Sequence, residues 1–137
     1  MTEKELKIFT DGCARGNPGP AGAGYVITDM SGSEIDSGFK FLGKNETNNQ
    51  AEYGALIVGL SKCRNHSKGV IHVYSDSELM VKQLNGAYRI TKPHLKKLAD
   101  NVRLLMEGFQ KVTIHHIKRE KNARADALAN KAVDEAH

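Results

Sequence analysis

The sequence is short of the residues that mark several protein classes. It has no tryptophan, three prolines and two cysteines. No stretch approaches the roughly 18 consecutive apolar residues that span a bilayer, which excludes a transmembrane helix and argues against a membrane partner. Cys13 and Cys63 have neither metal-ligand spacing nor a pairing pattern, so free thiols in a reducing cytoplasm are expected. The start, MTEKELKIFTDG, lacks the basic-then-apolar form of a secretory signal. A cytoplasmic location is therefore expected. Repeats, low-complexity tracts and linker-like segments are also missing, and 137 residues suit one domain, 1–137, expected to be a monomer. What is present is ordinary for a globular chain, at 39% hydrophobic and 26% charged residues. The net charge is +4 and is concentrated. Arg89–Arg124 holds Arg89, Lys92, Lys96, Lys97, Arg103, Lys111, Lys118, Arg119, Lys121 and Arg124 against only Asp100, Glu107 and Glu120. Such a basic half suits a polyanionic partner, or a solvated helix face.

Hydrophobic patterning gives three early strands, Leu6–Thr10, Gly22–Asp29 and Glu34–Gly43, the last two joined by the turn Met30–Ser33. Short connections should pair them antiparallel. A helix then runs from Thr47 to about Cys63, opened by a capping box of Thr47 with Gln50. Val70–Tyr74 is a strand, Ser77–Leu84 a short helix, and Pro93 opens another helix through Glu107. Lys111–Ile117 and Ala123–Glu135 are the last strand and helix. The order implies an α/β layer fold with a five-stranded mixed sheet, part hairpin and part parallel strands reached by helical crossovers.

The glycine loop of FTDGCARGNPGPAGAGYVI invites a nucleotide reading that fails on context. Phosphate-cradling glycines lead from a strand into a helix, whereas these lead into the strand Tyr25-Val26-Ile27. There is also no Gly-Lys-Ser/Thr.

Four acids sit at the ends of elements. Asp11 just past the first strand could be a turn residue before Gly12. Asp76 follows VIHVY, where a helix cap is the ordinary reading. Glu52 shares the helix face of Leu56, Gly59, Leu60 and Cys63, a costly position for a carboxylate without a compensating cation or donor. Asp126 lies in a helix whose Ala125, Ala129 and Ala132 imply close packing on the sheet, and could be an exposed ion-pair partner. Together they suggest a site at the carboxyl end of the sheet. Clustered carboxylates repel unless divalent cations neutralise them, and all-oxygen donors favour Mg²⁺ or Mn²⁺ over zinc. Two such ions roughly 4 Å apart can activate water and stabilise a leaving oxygen in phosphodiester hydrolysis.

Four blocks, in order from about Leu6 to Val133, carry a resemblance to ribonuclease H type 1: Asp11-Gly-x-x-x-x-Asn17-Pro-Gly, Thr47-Asn-Asn-x-x-Glu52, Ser75-Asp76-Ser77, and Asn122-x-x-Ala-Asp126-x-Leu-Ala. The resemblance implies a five-stranded mixed sheet, three strands antiparallel and two parallel, flanked by helices on both faces. It implies cleavage of the RNA strand of an RNA–DNA hybrid, giving 5′-phosphate and 3′-hydroxyl ends, with two Mg²⁺ ions, or Mn²⁺ in their place, held by Asp11, Glu52, Asp76 and Asp126. Asp11 would bridge both ions. Gly12, Cys13 and Gly16 would let main chain approach the minor groove, where 2′-hydroxyls distinguish RNA. Asn17, Asn48 and Asn49 match the family's groove readers, although turn and cap chemistry also suits them. Thr47 matches a contact to a DNA phosphate, and Glu78 a second RNA-side contact.

The chain also departs from many relatives. The loop before the last helix, Lys118–Asn122, has no histidine, and resembles the branch reading His-x-x-Arg-Glu-x-Asn through His116, Arg119, Glu120 and Asn122. Arg119 would act near the scissile phosphate or leaving group, or pair with Glu120 at the surface. One of His115 and His116 is expected to point inward. The long basic, tryptophan-rich protrusion of some relatives is replaced by NGAYRITKP, where Tyr88 could pack on DNA sugar or base. Weaker hybrid affinity with steeper salt dependence is expected. Double-stranded RNA or RNA–DNA junctions as substrates, and a noncatalytic nucleic-acid-binding module, are the competing readings.

Overall fold

The structure, a computed structural model, describes residues 3–136; the ends of the expected 1–137 domain lie outside it. Five strands form one sheet: β1 (Leu6–Ala14), β2 (Gly19–Asp29), β3 (Glu34–Glu46), β4 (Val70–Ser75) and β5 (Lys111–His116). Their order is β3-β2-β1-β4-β5. β1, β2 and β3 pair antiparallel, whereas β4 and β5 run parallel to β1. Among the described residues four helices complete the fold: α1 (Asn48–Cys63), α2 (Glu78–Leu84), α3 (Pro93–Met106) and α4 (Ala123–Asp134), with one 3₁₀ turn at Arg119–Lys121.

Local chemistry accounts for the helix starts. Thr47 Oγ1 accepts from Gln50 N at 3.1 Å while Gln50 Oε1 accepts from Thr47 N at 2.7 Å, closing the expected capping box. Ser77, not Asp76, caps α2 by accepting from Met80 N. Pro93 stands in the first turn of α3, where its missing N–H costs nothing.

Strand side chains alternate between faces. Leu6 and Ile8 point toward α1 and join Leu56, Leu60, Ile71 and Val73 in the core, all fully buried. Burial of such a side chain is worth about 1.5–3 kcal/mol. α2 and α3 lie against α1, and α4 covers the opposite face over β1 and β2. Gly24 explains how closely α4 approaches: a β-carbon there would stand 2.2 Å from the Ala125 carbonyl oxygen. The small residues Ala125, Ala129 and Ala132, all buried, are the other half of that contact.

Several expectations change: β2 starts at Gly19 where Gly22 was expected, and β3 runs to Glu46 where Gly43 was expected. β1 does not end at Thr10, because antiparallel pairing with β2 continues to Ala14↔Ala21. Asp11 is thus inside a strand. What ends at Thr10↔Ser75 is the parallel pairing with β4. Neither His115 nor His116 points inward; both are exposed, and Ile114 is the buried residue of β5. The physical reason differs for the two: α4 leaves the His115 side of β4 and β5 uncovered, while His116, on the Ile114 side, is the last residue of β5. On the uncovered side His115 stacks on Tyr74 at 5.2 Å, and Tyr74 on Phe9 at 5.1 Å.

Candidate active site

The point where β1 and β4 part is a topological switch point, the usual place for a ligand in such a sheet. Asp11 stands one residue beyond it on β1, and Asp76 one residue beyond it, just past the end of β4. Glu52 arrives from the first turns of α1. Carboxylate oxygens of Asp11, Glu52 and Asp76 lie within 4.8 Å of one another. Asp126, from the first turn of α4, lines the same cavity and raises the Asp11 pKa from close by. All four line one open cavity of about 470 Å³, together with Arg119.

Gly12 also has a part in this geometry that the sequence reading did not include. A β-carbon at Gly12 would stand 2.1 Å from the Ala51 carbonyl oxygen, so only glycine lets β1 touch α1 here. That contact lets Gly12 N donate to Glu52 Oε1 at 2.9 Å and holds the carboxylate in place.

The electrostatics follow from crowding. Asp11 is 5% exposed. Burial, then the charge of Glu52, then Asp126 and Asp76 hold its pKa far above the usual carboxylate range. Glu52 is also raised, first by burial and then by Asp76, while the Gly12 N–H and the Arg119 guanidinium pull it down. Without a cation, at least one carboxylate here keeps a proton at neutral pH. The donors are all hard oxygens, which fits divalent Mg²⁺ or Mn²⁺.

Cys13 borders the same cavity, and burial raises its thiol pKa, which keeps it protonated. Neither cysteine is in a disulfide. Asn48 bridges two regions: its Oδ1 accepts from Ala14 N at 3.3 Å, and its N–H donates to Asn17 Oδ1 at 3.1 Å. Beyond it lies a second hollow of about 380 Å³, lined by Asn17, Thr47, Asn48, Asn49, Lys92 and His94. Gly16 sits in the turn between β1 and β2, with φ of +107°. Glu78 and Tyr88 line neither cavity. Both are held by Lys82, whose Nζ donates to Glu78 Oε1 at 2.7 Å and to the Tyr88 hydroxyl at 3.2 Å.

Sequence reasoning missed three participants. Lys92 and His94 reach the second hollow only because α3 folds back beside the start of α1; their sole signal was membership of a basic stretch. Asn130, one turn beyond Asp126, donates from Nδ2 to Asp126 Oδ1 at 3.3 Å, and its Oδ1 accepts from Arg15 at 3.2 Å. Its position four residues on from Asp126 was the available clue.

Comparison with known proteins agrees with this architecture. Residues 9–132 match the family described as reverse transcriptase-like. The chain is 42% identical over 131 residues to ribonuclease HI of Halobacterium salinarum, covering 96% of this chain and 65% of that protein. It is 32% identical over 145 residues to ribonuclease H of Blochmanniella floridana, covering 94% and 83% of the two chains. Among solved structures, LC11-RNase H1 in complex with an RNA/DNA hybrid superposes with a TM-score of 0.91 at 40% identity, covering 96% of this chain and 98% of that one. The chain spans 36–65% of the length of the curated relatives it matches at 37–42% identity. With this match running through all the strands and the acid-lined switch point, the chain belongs to the type 1 ribonuclease H family.

Proposed function

We propose that this protein is a metal-dependent endoribonuclease that hydrolyses the RNA strand of RNA–DNA hybrids, leaving 5′-phosphate and 3′-hydroxyl ends. The observation that carries the reading is the meeting of Asp11, Glu52 and Asp76, from three different elements, within 4.8 Å. A noncatalytic binder of nucleic acid gains nothing from carboxylates aimed at phosphates. The hybrid bound by LC11-RNase H1 supports the choice of substrate.

Asp11, Glu52, Asp76 and Asp126 would hold two Mg²⁺ ions, or Mn²⁺. When bound, such ions supply charge neutralisation for the attacking and leaving oxygens of an in-line displacement. The remaining roles fall to the chain itself. The Gly12 N–H, donating to Glu52 Oε1 at 2.9 Å, orients that carboxylate. Arg119, on the cavity wall, would face the scissile phosphate or the leaving oxygen and offset charge there. Asn17, Asn48 and Asn49 would meet the sugar edge of the RNA strand. Thr47 would hold a DNA phosphate in the second hollow, where Lys92 adds positive charge.

An end-labelled cleavage panel with Mg²⁺ or Mn²⁺ tests the proposal on hybrid, duplex RNA, duplex DNA, single strands and an RNA–DNA junction. The expected result is RNA-strand cleavage in the hybrid, abolished in Asp11→Asn. No hybrid cleavage with either metal overturns it. Preference for duplex RNA or the junction would reassign the substrate.

A further inference from the structure

Asn122 is a fully buried amide that does not do what its position suggests. It occupies the N-cap of α4, where asparagine normally accepts a hydrogen bond from the helix's first free N–H groups. Here the side chain makes no capping bond, and the residue is 2% exposed. Its Nδ2 instead donates to the Thr10 carbonyl at 2.8 Å, across 112 residues of sequence. Its Oδ1 has no partner among the described residues. A buried amide that leaves its cap unmade and one acceptor unsatisfied runs against ordinary stability chemistry.

The place of that bond gives the reason. Thr10 is the last residue at which β1 pairs with β4, and Asp11 is the next residue. On the other side, Asp126 N donates to Asn122 O at 3.0 Å in the first turn of α4. Residues four apart share a helix face, so Asn122 and Asp126 face the sheet together. The two bonds therefore run from the backbone beside Asp11, through the Asn122 side chain, to the backbone of Asp126.

We infer that Asn122 is a positioning residue that clamps the first turn of α4 to β1 and sets the separation of the Asp11 and Asp126 carboxylates. Its effect falls on cation affinity, not on grip of the nucleic acid. This rests on the proposed metal-dependent reading of the site. An outer-shell contact of this kind changes metal affinity by roughly 10–100-fold when lost.

The test measures Mn²⁺ binding by calorimetry on metal-free protein, hybrid binding without metal, and urea stability, for wild type, Asn122→Ala and Asn122→Asp. Asn85→Ala is the control: Asn85 Nδ2 donates to the Ile114 carbonyl at 3.0 Å, a comparable amide-to-strand bond away from the carboxylates. We expect Mn²⁺ affinity to fall at least tenfold in both Asn122 variants and to stay within twofold in Asn85→Ala. Metal-free hybrid affinity should stay within twofold of wild type in Asn122→Ala. Folded Asn122 variants with wild-type Mn²⁺ affinity overturn the inference. So does failure of both to fold, which assigns the residue to the fold alone. If wild type binds Mn²⁺ yet cleaves no hybrid, only the proposed activity fails; if wild type binds none, both fall.

Discussion

Two hollows flank Asn48, and they differ in sign. The cavity of about 470 Å³ is lined by four carboxylates, and the neighbouring hollow of about 380 Å³ has none and includes Lys92 and His94. A phosphate can enter the second directly, but meets the first only through cations. A hybrid lying across both would, on the proposed reading, have its DNA strand gripped in the second hollow and its RNA strand presented to the first. The difference teaches that the acids form a built site: each carboxylate comes from a different element, and the surrounding backbone is shaped to hold them.

Asp11→Asn breaks the contrast most sharply. It should lower kcat by roughly 10³-fold or more, the scale of losing a group that acts on developing charge. Hybrid binding should be unchanged or tighter, since a like charge facing phosphate is gone; gel-shift titration beside single-turnover kinetics checks both. Next in size, Gly24→Ala should push α4 and Asp126 away from the sheet. Overpacking at that contact should cost about 1–3 kcal/mol, read by urea denaturation, with a loss of activity.

Lys92→Ala sharpens the comparison from the other side. Hybrid Kd should rise several-fold with kcat little changed, and the slope of log K against log salt should fall by about 1. Thr47→Ala should weaken hybrid binding too, while costing about 1 kcal/mol of stability through the lost cap. A salt-insensitive Kd in the wild type would contradict the assignment of the basic hollow.

A further effect is on pH. Asp11 and Glu52 have raised pKa values in the folded, metal-free protein. The folded state therefore holds protons that the unfolded chain releases above the ordinary carboxylate range. Their contribution to stability is greatest below about pH 4 and is lost as pH rises toward their folded values. Metal-free protein should lose stability from pH 5 to 8 more steeply than Asp11→Asn. The difference should be at most one proton, about 1.4 kcal/mol per pH unit. Equal slopes in urea titrations would count against this.

Much of the site was legible along the chain, for a local reason in each case. Thr47 and Gln50 form their capping box within one turn. Asp76 was identified as following a strand, and Ser77 then proved to take the cap, leaving the acid for other uses. Glu52 stood out because a carboxylate on an apolar helix face needs a partner. The misses were all long-range. Gly12 was read only as an approach to the groove, and its close contact with Ala51 had no signal in the sequence. His115 and His116 were expected to alternate in and out, but alternation predicts burial only where something covers the face. Asn122 was part of a motif, yet its bond to Thr10 spans almost the whole chain.

By itself the sequence determined the strands and helices, the four acids and the all-oxygen character of the donors, because capping, hydrophobic period and ligand hardness are properties of neighbouring residues. Only the tertiary structure decided that these acids meet, that Lys92 and His94 face Thr47, and that Gly12, Gly24 and Asn122 hold the frame. Those facts depend on where strands part and how closely helices approach the sheet, which no short window of sequence contains.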